Sequence, residues 1–100
     1  MYRFTRTATV RLTAMLPEAI KFATQIAAHF RKTYSYDMKV GVELYGEGKV
    51  YWYGDMESLD QAAERNAKLS GDKKYLSLIE NGKHLWVEGS IRDRLVRLID

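Results

Sequence analysis

His84 and Arg6 are the two residues of this 100-residue sequence whose type and setting best suit catalysis. His84 follows a predicted helix end and precedes an apolar Leu-Trp pair. Its imidazole would therefore lie at a pocket mouth and act as a general base. Arg6 interrupts the apolar side of a predicted strand and would bind an anionic or carbonyl group there. Their structural alternatives, an exposed loop histidine and an arginine paired with a carboxylate, stay open.

Three aromatic residues indicate where a ligand would bind. Trp52 lies on the apolar face of a predicted hairpin, where it belongs either to the core or to the wall of a pocket between sheet and helices. Tyr34 and Tyr36, at the exit of the first predicted helix, would supply hydroxyl groups to the same pocket. We therefore predict a ligand site formed by these three residues. His29, within that helix, is expected to be structural.

The composition excludes several kinds of active site. The chain has no cysteine, hence no thiolate nucleophile, and two histidines are too few for a metal site made of histidine alone. We therefore expect no metal and no cofactor. With 46% hydrophobic residues the chain can form one domain over residues 1–100, and its net charge of +3 is scattered. No run approaches a membrane span, so we expect a cytoplasmic protein.

The hydrophobic pattern predicts the elements that would position these residues. Alternation over residues 2–12 predicts a first strand, and apolar spacing after Pro17 predicts a helix that ends near Tyr34. A serine-glutamine capping box at Ser58 starts a second helix, and Asp72 can cap a third that ends near residues 81–82. Residues 91–99 fit either a helix or a strand. A strand is favoured because it completes a βαββαβ unit.

Residues 38–53 predict the β-hairpin around which the sheet is organised. If Gly46-Glu47-Gly48 is a three-residue loop, Tyr45 faces Lys49 and Val42 faces Trp52. Met38, Val40, Val42 and Leu44 then share an apolar face with Trp52. The opposite face is aromatic and polar.

That opposite face has two interpretations. Tyr45, Tyr51 and Tyr53, with Thr7 from the first strand, suit a dimer interface between two sheets. Alternating aromatic residues on the third strand of a βαββαβ unit also suit stacking of RNA bases. Glu43 and Asp55 would repel phosphate, and therefore RNA binding ranks below the dimer.

Several short phrases, in order, carry a resemblance to a known family. They are Leu44-Tyr45-Gly46 leading to Gly48-Lys49-Val50, residues 51–56 running into Glu57-Ser58-Leu59, Asp72 before Tyr75-Leu76, and Glu88-Gly89-Ser90 with Asp93. The chain resembles the dimeric α+β barrel superfamily and its NIPSNAP-like branch. The resemblance implies a ferredoxin-like α+β monomer, βαββα(α)β, whose antiparallel sheet packs on a partner's sheet as a homodimer.

The same resemblance sets the functional expectation. Relatives in the superfamily include cofactor-independent monooxygenases, lactone isomerases and haem-degrading enzymes, with pockets between sheet and helices. The haem-degrading relatives use a first-strand asparagine, where this chain has threonines and alanines. We therefore expect a homodimer that binds a small apolar or aromatic molecule. It either transforms that molecule as a monooxygenase or isomerase, or binds it without catalysis.

Overall fold

Four antiparallel strands and three helices make up the computed structural model, which describes residues 1–100. The elements are β1 (Tyr2–Thr9), α1 (Leu16–Tyr34), β2 (Lys39–Val42), β3 (Lys49–Met56), α2 (Leu59–Leu69), α3 (Lys73–Gly82) and β4 (Arg92–Arg97), with short 3-10 turns at 13–15 and 83–85. The strand order β2-β3-β1-β4 is that of a ferredoxin-like sheet. The predicted fold class is therefore confirmed, and residues 92–97 form a strand rather than a helix.

The helices cover one face of the sheet. Ala8 on β1 pairs with Val50 on β3, and both lie in the core beneath α1. Thr7 pairs with Tyr51, and because side chains alternate along a strand, this pair points to the opposite face. No helix covers that face, which we call the outer face; it carries Thr5, Thr7, Thr9, Tyr51 and Tyr53 from the two central strands.

Helix α1 lies closest to the sheet because the side chains that face it are small. Ala19, Ala23 and Ala27 are completely buried, and they alternate with larger buried residues such as Phe22 and Phe30. The helix begins at the predicted proline and ends at Tyr34, where Ser35 takes a left-handed conformation with φ 52°. By contrast, α2 has no buried residue and α3 buries only Gly82.

The predicted hairpin register was wrong by two residues. Val42 pairs with Val50 and Val40 with Trp52, so β2 ends early and the loop runs over residues 43–48. The reason is the Glu43 side chain, whose Oε1 accepts a hydrogen bond from the Glu47 N–H at 2.7 Å and starts the turn. Because side chains alternate, a shift of two residues keeps every paired residue on its predicted face.

The longer loop also corrects the prediction for two apolar residues. Leu44 and Tyr45 were expected on the first hairpin strand, but they lie in the loop and are 89% and 92% exposed. Gly46 and Gly48 have φ angles of 126° and 77°, which only glycine adopts without strain, so the predicted turn glycines do serve the loop.

Both predicted helix caps are confirmed. The Ser58 hydroxyl accepts a hydrogen bond from the Gln61 N–H at 3.3 Å, and Asp72 Oδ1 accepts one from the Tyr75 N–H at 3.0 Å. Each bond satisfies a backbone donor that has no partner inside its own helix.

Gly82 packs directly on a side chain of α1, because an added Cβ would overlap the Phe22 ring. We expect Gly82→Ala to lower the free energy of unfolding by about 1–3 kcal/mol, as overpacking of a core contact does. Urea unfolding followed by circular dichroism measures the change. The matched control is Gly71→Ala, whose Cβ would meet nothing closer than the Lys68 carbonyl at 4.0 Å. A neutral Gly82→Ala would contradict this packing.

Candidate functional site

A cavity of about 680 Å³ lies between the sheet and the helices α2 and α3. It forms because α1 fills the space over β2 and β3, whereas α2 and α3 bury almost no side chain against the sheet. The lining is mostly hydrophobic, and its aromatic members are Phe4, Phe22, Phe30, Tyr36, Trp52, Tyr75 and Trp86. Cavities of this size, mostly apolar with a few polar groups, are typical of small-molecule sites.

Trp52 is fixed in the wall of this cavity. Its Nε1–H donates a hydrogen bond to the Ala23 carbonyl at 3.2 Å, and its ring meets Trp86 and Phe22 edge to face at centroid distances of 5.4 and 6.4 Å. Trp52 therefore belongs both to the core and to the cavity wall, the two positions that the sequence offered as alternatives. A ligand would meet an aromatic wall already in place.

Arg6 lines the cavity and is held by a carboxylate. Its Nε and Nη2 donate to Asp93 Oδ1 and Oδ2 at 2.7 and 2.9 Å, because the two residues are paired across β1 and β4. These hydrogen bonds raise the pKa of Arg6 and lower the pKa of Asp93. Arg6 is thus paired with a carboxylate, which was the structural alternative to ligand binding. Its guanidinium still has N–H donors beyond the two that Asp93 accepts.

Tyr36 and Arg65 form the end of the cavity beneath α2. Tyr36 is only 6% exposed, and its hydroxyl is buried without a hydrogen-bond partner. The Arg65 guanidinium lies over the Tyr36 ring, 3.8 Å from the centroid. Burial raises the pKa of Tyr36, and the charge of Arg65 opposes this shift. The hydroxyl lies over Gly54, where any Cβ would collide with it.

A second polar cluster joins the end of α1 to the start of α3, outside the cavity. Asp72 Oδ2 accepts hydrogen bonds from Tyr34 Oη at 2.5 Å and from His29 Nε2 at 2.6 Å. Thr33 Oγ1 lies 3.2 Å from His29 Nδ1 and completes the cluster. The bond with Tyr34 is the main cause that lowers the pKa of Asp72 to about 2 and raises the pKa of Tyr34 to about 12.

The structure separates the residues that the sequence grouped together. Arg6, Trp52 and Tyr36 line the cavity, whereas Tyr34 is engaged by Asp72 and is not part of the lining. His84 also lies outside the lining, half-exposed, with Nε2 3.3 Å from Glu18 Oε1.

The four residues proposed for a dimer interface do not all lie on the same surface. Thr7, Tyr51 and Tyr53 share the outer face, and Tyr45 lies apart from them in the loop that follows β2.

Trp86 and Arg65 are two of the cavity residues that the sequence analysis did not assign to the site. Trp86 follows α3 in a stretch without clear periodicity, and Arg65 was overlooked because it is charged. A signal for Arg65 existed, since it lies three residues after Ala62 and four before Leu69 and therefore on the same side of α2.

No three histidine, aspartate or glutamate side chains are placed so that they could hold a metal ion. None of the helices combines the length and apolar character needed to cross a membrane.

Solved structures share this architecture. No protein-family model matches the chain, and no curated protein matches it. A NIPSNAP family protein from Agrobacterium tumefaciens superposes with a TM-score of 0.80 at 21% identity, covering 99% of this chain and 93% of that one. A NIPSNAP-like domain protein from Burkholderia xenovorans gives 0.81 at 14% identity, with 98% and 84% covered.

A candidate antibiotic biosynthesis monooxygenase from Deinococcus radiodurans gives a TM-score of 0.73 at 14% identity, covering 100% of this chain and 94% of that one. The chain has the fold of these proteins. The predicted resemblance to NIPSNAP-like, ferredoxin-like proteins is therefore confirmed at the level of the fold.

We expect protonation of Asp72 to account for part of the loss of stability at acid pH. Its pKa of about 2 lies below the ordinary value of 3.8, so its ionised form stabilises the fold above pH of about 4. That contribution is lost as the pH falls towards 2. Asp72→Asn should lower the melting temperature at pH 7 and flatten its decline between pH 4 and 2. The exposed Asp37→Asn is the control, and an equally steep decline in both variants would contradict the role of the cluster.

Proposed function

We propose that the chain forms a homodimer in which each protomer binds a small apolar or aromatic molecule in the cavity between sheet and helices. The observation that carries the proposal is the aromatic cavity itself, because aromatic residues that include Phe22, Trp52 and Trp86 line a volume of about 680 Å³. Volumes of roughly 300–1,000 Å³ are those of ordinary small-molecule sites. The proposal keeps the cytoplasmic location that the hydropathy of the sequence led us to expect.

The outer face supports the proposed dimer. Tyr51 and Tyr53 lie beside Thr7 on the central strands, and such amphipathic and small side chains are suited to packing between two sheets. Val96 on β4 adds an exposed apolar side chain to this face, across from Arg3 on β1. A second copy is the natural occupant because the face then covers itself by two-fold symmetry.

The proposed chemistry is that of a cofactor-independent monooxygenase or isomerase. Its support is the shared fold with a candidate monooxygenase, together with Arg6 at the cavity wall, where a guanidinium can stabilise a developing oxyanion. His84, being outside the cavity lining, would need a role at the cavity entrance to take part. Oxygen uptake and product analysis with the compounds that bind would separate catalysis from binding alone.

Filling the cavity should abolish ligand binding. Ala62 lines the cavity from α2, whereas its neighbour Ala63 is exposed and outside the lining. We expect Ala62→Trp to weaken the binding of the neutral fluorophore N-phenyl-1-naphthylamine at least tenfold, because the indole would occupy the ligand volume. Fluorescence titration measures the dissociation constant, and Ala63→Trp is the control with the same added ring. Equal binding by both variants would place the ligand elsewhere.

Charge on the outer face should dissociate the proposed dimer. Light scattering is expected to give twice the 11.6 kDa chain mass for the wild type. Tyr51→Glu should give the single-chain mass, because two glutamates would be buried between the sheets. Ala28→Glu, on the exposed side of α1, is the control and should stay dimeric. A monomeric wild type would overturn the dimer and leave the aromatic face open, so that single-stranded RNA binding would then be measured.

A further inference from the structure

Arg65 is a partly buried cation without a partner. It extends from α2 to the cavity, and its guanidinium takes part in no salt bridge and no hydrogen bond within the protein. One flat side of the guanidinium is occupied by the Tyr36 ring at 3.8 Å. This contact holds the group in place while its N–H donors, which lie in the guanidinium plane, stay free for an acceptor.

No acceptor in the protein bonds to Arg65, although it also borders the neighbouring polar groove together with Asp55, Glu57 and Glu64. The carboxylate of Asp55, whose charge reaches Tyr36, is already held by Arg3 through two hydrogen bonds of 2.8 and 3.1 Å. The buried Tyr36 hydroxyl also has no partner. Burying polar groups without partners carries a cost that a bound acceptor would offset.

The other cations of the cavity are already engaged. Arg6 forms its bidentate pair with Asp93, and Lys83 Nζ lies 2.5 Å from Glu80 Oε1. Arg11, which is exposed, points a donor at the His84 carbonyl at 3.5 Å. Arg65 is thus the cavity cation that makes no ion pair or hydrogen bond with the protein, so all of its N–H donors are available to an incoming ligand.

We propose that Arg65 binds an anionic oxygen group at the α2 end of the cavity, so that the ligand is an aromatic or apolar acid rather than a neutral compound. This inference rests on the proposed ligand-binding function and adds the chemical class of the ligand. The aromatic wall of Trp52 and Trp86 receives the apolar body, and the in-plane donors of Arg65 receive a carboxylate or a related anion in the bidentate manner.

Two fluorescent probes that differ in one group test this assignment. 1-Anilinonaphthalene-8-sulfonate carries a sulfonate, and N-phenyl-1-naphthylamine has the same rings without it. We expect Arg65→Gln to weaken sulfonate binding about tenfold or more, which corresponds to the loss of a charge-assisted hydrogen bond. Binding of the neutral probe should change less than twofold. Arg65→Lys, which keeps the charge, should recover part of the affinity for the sulfonate.

Two controls locate the effect. Lys68→Gln removes the same charge from the same helix but faces the neighbouring polar groove rather than the cavity, so it should leave both affinities unchanged. Ala62→Trp should prevent the sulfonate from binding, which shows that the probe occupies the cavity. Circular dichroism confirms that each variant is folded.

The outcomes separate this inference from the function on which it rests. If the neutral probe binds and Arg65→Gln leaves sulfonate binding unchanged, or weakens both probes equally, the anion site is overturned and the cavity remains a ligand site. An equal effect of Lys68→Gln would also overturn it, because the effect would then be one of net charge. If neither probe binds the wild-type cavity, both the proposed function and this inference are overturned.

Discussion

The close packing of α1 on the sheet is the constraint on which the rest of the structure depends. The helix lies directly on β2 and β3 because the side chains of Ala19, Ala23 and Ala27 are small. Its backbone therefore comes within hydrogen-bond reach of Trp52. The resulting Nε1–H to carbonyl bond fixes the indole, which in turn holds the rings of Phe22 and Trp86 at its edges. Burial of aromatic side chains of this size is among the largest favourable contributions that a small core can have.

The cavity is the other consequence of this packing. A sheet of four strands is wider than one closely packed helix, and α2 and α3 have larger or polar side chains that hold them away from β1 and β4. The space between is closed at one end by Arg65 on Tyr36 and bounded along β1 by Arg6. An apolar space with fixed polar groups at defined places is what a ligand site requires, since the apolar surface gives affinity and the polar groups give orientation.

The polar groups of the structure have two different roles, one in stability and one in ligand binding. Asp72 accepts hydrogen bonds from Tyr34, His29 and the Tyr75 backbone, so every donor pointed at it is satisfied and the cluster fastens α3 to α1. Arg65 and the Tyr36 hydroxyl are the reverse, because neither has a hydrogen-bond partner within the protein, and the hydroxyl is buried as well. Satisfied networks fix a structure, whereas unsatisfied groups at a cavity are available to a ligand.

Local patterns in the sequence determined the type of every main element except β4, the face on which each paired strand residue lies, and the caps at Ser58 and Asp72. These features depend on residues a few positions apart, which periodicity and capping chemistry report directly. The strand at β4 was favoured because it completes a βαββαβ unit, since its local pattern also fits a helix. The hairpin register was not determined, because Glu43 folds back on its own loop in a way that the glycine spacing does not show. A register shift of two residues also leaves the alternation of faces unchanged.

The composition of the site was decided by the tertiary structure. The sequence favoured His84 and Tyr34 because of their chemistry, but Glu18 and Asp72, far away along the chain, are the residues beside them. Arg65 was the opposite case. In the sequence it is an ordinary charged residue of a surface helix, whereas in the structure it lies over the Tyr36 ring. Local patterns in the sequence thus specify the elements and their faces, whereas the partners of a buried or partly buried polar side chain follow only from long-range packing, because they come from distant parts of the chain.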